Sequence, residues 1–180
     1  GEIKWTSPNY KYSYIPERPI LYDQMTLWEH LELAGAAFDM EEQQFHTRAE
    51  ELLKQYRLLD VKDELPSHFS KGMQQKIMLI LSFLIPTDVY IVDEPFVGLD
   101  PIATKQFLDM LNHERDRGAG VLMSTHVLDT AERICDSFLL MSSGQLVTKG
   151  TLHEIRSQCG LPQGSLFDCF HKISLPGGGV

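Results

Sequence analysis

Cysteine is scarce in this chain. Its three residues, Cys135, Cys159 and Cys169, are scattered and form no C-x-x-C pair. That excludes a disulfide-stapled scaffold and a cysteine-built structural zinc site, and it fits a reducing compartment. Long hydrophobic runs are missing too. The most apolar stretch, Ile77 to Ile85, is interrupted by Ser82 and falls far short of the roughly 20 residues that span a bilayer. The opening residues do not read as a secretory leader. Positive charge is in deficit, with 16 Lys and Arg against 25 Asp and Glu and a net charge of −9. So acidic a chain is a poor partner for a phosphate backbone, and no nucleic acid is expected. No internal repeat is visible. The 180 residues suffice for one domain, or for one and a small lobe.

What is present is organised around Val89-Tyr90-Ile91-Val92-Asp93-Glu94-Pro95. Four apolar residues run into two adjacent carboxylates, and a proline stops the run. The apolar part reads as a strand buried on both faces. The two acids fall at its C-terminal end, where open α/β sheets place their ligands. An acid there can hold Mg²⁺ through its oxygens, and a second can polarise a water. The same pattern also serves as an ordinary exit from a sheet.

Ahead of this strand, Gly1–Trp5 and Ser13–Glu17 read as short strands. Thr26-Leu27-Trp28-Glu29 is a capping box that opens a helix to about Phe38. A second, acidic helix spans about Glu41 to Tyr56, with Phe45, Ala49, Leu52, Leu53 and Tyr56 at helical spacing. A polar connection follows, then a helix from Gly72 to Leu84 that ends before Pro86. Asp23 to Ile85 is therefore a helical insert between two strands. Past the acids, Asp100 suits an N-cap and Pro101 the first position of a helix to about Arg117, with Gly118 as its stop. Gly120–Ser124 reads as the next buried strand and Leu128–Ile134 as a short helix. A hairpin turns at Ser143-Gly144, and Thr151-Leu152-His153-Glu154 caps a last helix to about Gln158. The tail Leu175–Val180 reads as disordered.

Three features join the acid pair. Phe69-Ser70-Lys71-Gly72-Met73-Gln74-Gln75-Lys76 stands directly before an apolar helix. Its hydroxyl, its glycine and the helix N-terminal N–H groups make an anion site, or a plain cap. Asp100 lies one short turn beyond Glu94. Ser124-Thr125-His126 ends the next strand, and a histidine there serves structure as readily as catalysis.

Together these residues resemble the ATP-binding subunits of ABC transporters. Phe69 to Met73 is similar to the family's Leu-Ser-Gly-Gly-Gln signature, and Val89 to Glu94 to its Walker B strand with the catalytic glutamate. Val97-Gly98-Leu99-Asp100 resembles the D-loop, His126 the switch histidine and Tyr14-Ile15-Pro16-Glu17 the Q-loop. The likeness covers roughly residues 1 to 158, in the family's order and spacing. The wording around Glu17 and Ser70 looks most like the bacterial export-type (ABC-2, Ecs-like) subunits. The fold implied is α/β, a RecA-like P-loop NTPase core with an inserted α-helical subdomain. The expected divisions are 1–22 (remnant of the nucleotide-binding core with the Q-loop), 23–86 (helical subdomain with the signature), 87–159 (core with Walker B, D-loop and switch histidine) and 160–180 (tail).

There are departures. Glu17 stands where the family usually has Gln, which keeps an oxygen for Mg²⁺ but adds charge beside the acid pair. Lys71 replaces a glycine and puts a cation near the expected terminal phosphate. No G-x-x-x-x-G-K-[ST] occurs in these residues, although that loop cradles the phosphates in such enzymes. The chain therefore reads as the N-terminally incomplete, C-terminal portion of such an ATPase.

By position, the resemblance implies that Glu94 and His126 are catalytic and that Asp93 and Glu17 serve the metal. It implies that Ser70, Lys71, Gly72, Met73 and Asp100 contact nucleotide or its interface. The cofactors implied are ATP and Mg²⁺. The partners implied are a second ATPase subunit and an integral membrane permease, at the cytoplasmic face of the cell membrane. Two alternatives stay open: a non-transport ABC ATPase lobe, and a non-catalytic interaction module that keeps the fold.

Overall fold

The computed structural model describes Glu2 and residues 10–174. The strand expected around Gly1–Trp5 lies, Glu2 apart, outside the described residues, as does the tail from Leu175. The chain divides into two compact units, Gly1–Ser124 and Thr125–Val180.

Among the described residues, the first unit is built on three parallel strands in the order β1-β2-β3. These are β1 (Tyr12–Ile15), β2 (Val89–Asp93) and β3 (Gly120–Ser124). Between β1 and β2 lie α1 (Leu27–Ala37), α2 (Glu42–Tyr56) and α3 (Lys71–Leu84), with short 3-10 turns at Leu59–Val61 and Pro66–His68. The helical insert is thus the crossover between two adjacent parallel strands. Thr26 caps α1 in a full capping box with Glu29, and Glu41 caps α2. The apolar positions picked out on α2 are all buried. The N-terminal N–H groups of Leu27 and Trp28 are satisfied by the carbonyls of Glu64 and Lys62, at 3.0 and 2.7 Å. Those bonds tie the start of α1 to the loop before α3.

After β2, α4 (Pro101–Asp116) crosses over to β3. Asp100 is its N-cap and Pro101 its first residue. At its far end Arg117 pairs with buried Glu114 at 2.7 Å and donates to the Thr87 carbonyl. Register sets which residues share a face. Ile15, Tyr90 and Val92 belong to one face and are fully buried. Phe83 of α3 packs there, its ring 5.3 Å from Tyr90 and 6.0 Å from Phe107 of α4. Each such fully buried side chain is worth about 1.5–3 kcal/mol.

The opposite face corrects the expectation of complete burial. Tyr14 pairs with Ile91 and Ile91 with Leu122, and Tyr12, Tyr14 and Leu122 are 53, 47 and 58% exposed. Burial along β2 accordingly alternates, and β3 is mostly exposed rather than a buried strand. An apolar run states what a strand is able to bury. It carries no information on whether a layer covers it, although parallel sheets normally have both faces packed.

The second unit contains α5 (Leu128–Ile134), the antiparallel pair β4 (Phe138–Ser142) and β5 (Gln145–Gly150), α6 (Leu152–Cys159) and α7 (Leu166–Ser174). Ser143 and Gly144, at φ 49° and 75°, turn the hairpin in the double left-handed conformation that two-residue hairpins favour. Thr151 and Glu154 form the expected capping box. Helix α7 goes beyond the expected last helix. Its start was signalled by Ser165-Leu166-Phe167-Asp168: the Ser165 N–H donates to Asp168 Oδ2 at 2.8 Å, and the Asp168 N–H to Ser165 Oγ at 3.1 Å. Leu166 and Cys169 then bury against Ile155 and Cys159. No helix of the described residues is long and apolar enough to cross a membrane.

Candidate functional site

The acid pair sits where β2 ends, flanked by both neighbouring strands. Asp93 is in register with Ser124 of β3, and the Ser124 hydroxyl donates to Asp93 Oδ1. From the other side the Tyr14 hydroxyl of β1 donates to Asp93 Oδ2 at 3.4 Å. Glu94 leaves the strand with φ 46°, a left-handed conformation that costs a residue with a Cβ about 1–2 kcal/mol. Its N–H is held there by the Ser124 carbonyl at 3.1 Å and the Ser124 hydroxyl at 3.3 Å. Backbone strain of this kind concentrates where a side chain must be aimed.

Glu17 lies two residues beyond β1 and is exposed. The Tyr14 phenol is pushed above its ordinary pKa by partial burial, then by the charge and hydrogen bond of Asp93, then by the charge of Glu17. Both carboxylates therefore act on one hydroxyl. Among the described residues no three His, Cys, Asp or Glu side chains gather at metal-binding range.

A second cluster lies at the start of α3. Ser70 is the N-cap, accepting from the Met73 N–H at 3.3 Å, and Lys71 is exposed. Gly72 is required by a close approach: a Cβ there would stand 2.8 Å from the Gly98 carbonyl oxygen. Asp100, two residues on, accepts from the Ala103 N–H at 2.8 Å and from Lys76 Nζ at 2.8 Å. Lys76, then the Ala103 N–H, hold its carboxyl below the usual range. The structure thus brings Ser70–Met73 together with Gly98–Asp100, and Asp93–Glu94 together with Tyr14 and Ser124.

His126 belongs to the second unit, is exposed, and stands two residues before α5. The Thr125 hydroxyl accepts from the Val127 N–H at 3.0 Å beside it.

Three side chains of these clusters had no role assigned from sequence: Tyr14, Ser124 and Lys76. Tyr14 and Ser124 became visible only through strand register. Lys76 was in sight, six residues past Ser70, but its partner Asp100 lies 24 positions away.

Comparison with known proteins follows the same lines. The profile of the family described as ABC transporter matches residues 2–97. The chain is 53% identical over 172 residues to the uncharacterized ABC transporter ATP-binding protein YthP of Bacillus subtilis strain 168, covering 96% of this chain and 72% of YthP. It is 44% identical over 164 residues to the ABC-type transporter ATP-binding protein EcsA of the same organism, covering 91% of this chain and 66% of EcsA. A solved structure of an ATP binding subunit of an ABC transporter superposes with a TM-score of 0.88 at 45% identity, covering 91% of this chain and 68% of that one. The chain thus spans about two thirds to seven tenths of the length of these relatives.

Proposed function

The chain belongs to the ATP-binding protein family of ABC transporters, with its P-loop NTPase fold, and from that premise we propose that it is an ATPase subunit that powers an exporter. It does so by closing on a second ATPase subunit around ATP. One observation carries the reading: adjacent acids at the end of the central strand, with Asp93 bonded from both neighbouring strands and Glu94 held in a left-handed turn. An ordinary exit from a sheet has no need of that arrangement.

The oxygen donors suit a hard cation. Asp93 retains acceptor capacity beyond what Ser124 and Tyr14 use, and Glu17 acts on the same phenol. The lack of a three-ligand cluster among the described residues is what Mg²⁺ tolerates, because it keeps waters and phosphate oxygens in its shell. Bound there, the metal supplies charge neutralisation to the phosphates. Glu94 accepts the proton of the water that attacks the terminal phosphorus as the bond to the ADP oxygen breaks. His126 contacts that phosphate and steadies the water. Ser70, Lys71, Gly72 and Met73, with the N-terminus of α3, close on ATP held by the opposite subunit, and Asp100 links the two sites.

These roles fall into two sets. Asp93, Glu94, His126 and Glu17 serve ATP cradled by the same subunit's phosphate loop, and these 180 residues contain no G-x-x-x-x-G-K-[ST]. Ser70 and Gly72 serve the partner's ATP. A pair of these chains alone therefore completes no site, whereas pairing with a loop-bearing subunit completes one. The permease docks near Pro19 to Leu33, where Ile20, Tyr22 and Leu33 are 72, 63 and 48% exposed. Docked there, the subunit would work at the cytoplasmic face of the membrane. Export direction rests on the wording around Glu17 and Ser70.

The test mixes this chain with a loop-bearing ABC ATPase subunit whose own signature serine has been replaced by arginine. Turnover should appear on adding this chain and vanish with its Ser70→Arg variant. Equal turnover with the variant would overturn the reading.

A further inference from the structure

Ser124 is exposed, and its hydroxyl bonds both members of the acid pair. The side chain has one proton and two acceptor positions. The proton goes to Asp93 Oδ1. An acceptor position takes the Glu94 N–H at 3.3 Å, and the Ser124 carbonyl takes the same N–H at 3.1 Å. Strand register makes this possible, since Ser124 stands directly opposite Asp93 across the β2–β3 pair. Ser124 thus bonds both consecutive acids through one hydroxyl.

We infer that Ser124 is the positioning residue of the acid pair, fixing the Asp93 carboxylate for its cation and pinning the left-handed backbone of Glu94. The inference rests on the reading of Asp93 as a metal-serving acid and adds the residue that orients it. Tyr14 is the weaker second support, at 3.4 Å on the other oxygen. A donor on Oδ1 selects one rotamer of Asp93 and leaves its remaining lone pairs directed out of the strand end. The clamp also counters the tendency of Glu94 to relax from φ 46° toward ordinary extended backbone. With alanine at position 124 the carbonyl bond to Glu94 persists, but Asp93 loses its nearer donor. Threonine keeps the hydroxyl and suits a strand.

The experiment uses Tb³⁺ alone, a hard oxygen-seeking cation whose luminescence is sensitised by a neighbouring tyrosine, here Tyr14 beside Asp93. Titrations are compared for the whole chain, Asp93→Asn, Ser124→Ala and Ser124→Thr, each with a thermal melt as a check of folding. A saturable signal is expected that Asp93→Asn abolishes. Ser124→Ala should weaken apparent affinity about tenfold, the effect of losing a charge-assisted hydrogen bond, and Ser124→Thr should restore it. Loss of signal in Asp93→Asn with Ser124→Ala unchanged overturns the positioning role and leaves the metal reading standing. A signal indifferent to Asp93→Asn overturns the metal reading and this inference with it. If Ser124→Ala melts early while Ser124→Thr is native in stability yet binds as weakly as alanine, the inference also fails, because the hydroxyl is then not what orients Asp93.

Discussion

Replacing Gly72 with alanine sets two effects of opposite sign against each other. In a helix, Gly→Ala gains up to about 1 kcal/mol, and less at the second position of α3, where Gly72 stands. Against this, the new Cβ would lie 2.8 Å from the Gly98 carbonyl oxygen, well inside the roughly 3.3 Å of a close C···O contact. About half an ångström must open. The obstacle is backbone, not the end of a flexible side chain, and the turn it belongs to is anchored at Asp100 by Lys76 and the Ala103 N–H. Overpacking against such a neighbour costs about 1–3 kcal/mol, so strain wins and the net loss is about 1 kcal/mol. In urea titrations followed by far-UV circular dichroism the midpoint should fall by roughly half a molar. Lys71→Ala, one residue earlier and exposed, should move it far less. A midpoint raised by Gly72→Ala would refute the close approach as the reason for this glycine.

Two further outcomes follow from the same structure. The Tyr56 hydroxyl is buried with no hydrogen-bond partner among the described residues, and burial pushes its phenol pKa up; Tyr56→Phe should therefore leave the fold intact and stabilise it by about 1 kcal/mol in a urea titration. The carboxyls of Asp100, Glu29, Glu154 and Asp168 are held low, Asp100 by Lys76 first and the others by backbone N–H groups first. In acid the unfolded chain then binds more protons than the folded one, so this stability is complete at neutral pH and is lost as pH falls through and below roughly 4. Melting temperature followed from pH 7 to pH 3 should drop, with a shallower drop in Asp100→Asn.

Much of the frame was legible because local chemistry wrote it. Thr26 with Glu29 and Thr151 with Glu154 marked helix starts, and Asp100-Pro101 marked another. The spacing of Phe45, Ala49, Leu52, Leu53 and Tyr56 gave the buried stripe of α2. What escaped depended on partners distant in sequence. The exposure of Leu122 depends on what covers the sheet, and the bonds from Tyr14 and Ser124 to Asp93 depend on register across 79 and 31 positions. The contact of Gly72 with Gly98 belongs to the same kind. Helix α7 was missed for another reason. Its serine–aspartate cap follows closely on Gly160, Pro162 and Gly164, so the segment reads as part of the tail.

The most direct test of the account is ATP binding and turnover by this chain, measured alone and then in equimolar mixture with a loop-bearing ABC ATPase subunit. The account predicts neither tight binding nor turnover by the chain alone, and turnover in the mixture, where Ser70 and Gly72 close on the partner's ATP. Micromolar ATP binding with turnover by the chain alone would contradict it, because the phosphates would then be held by residues other than those named here.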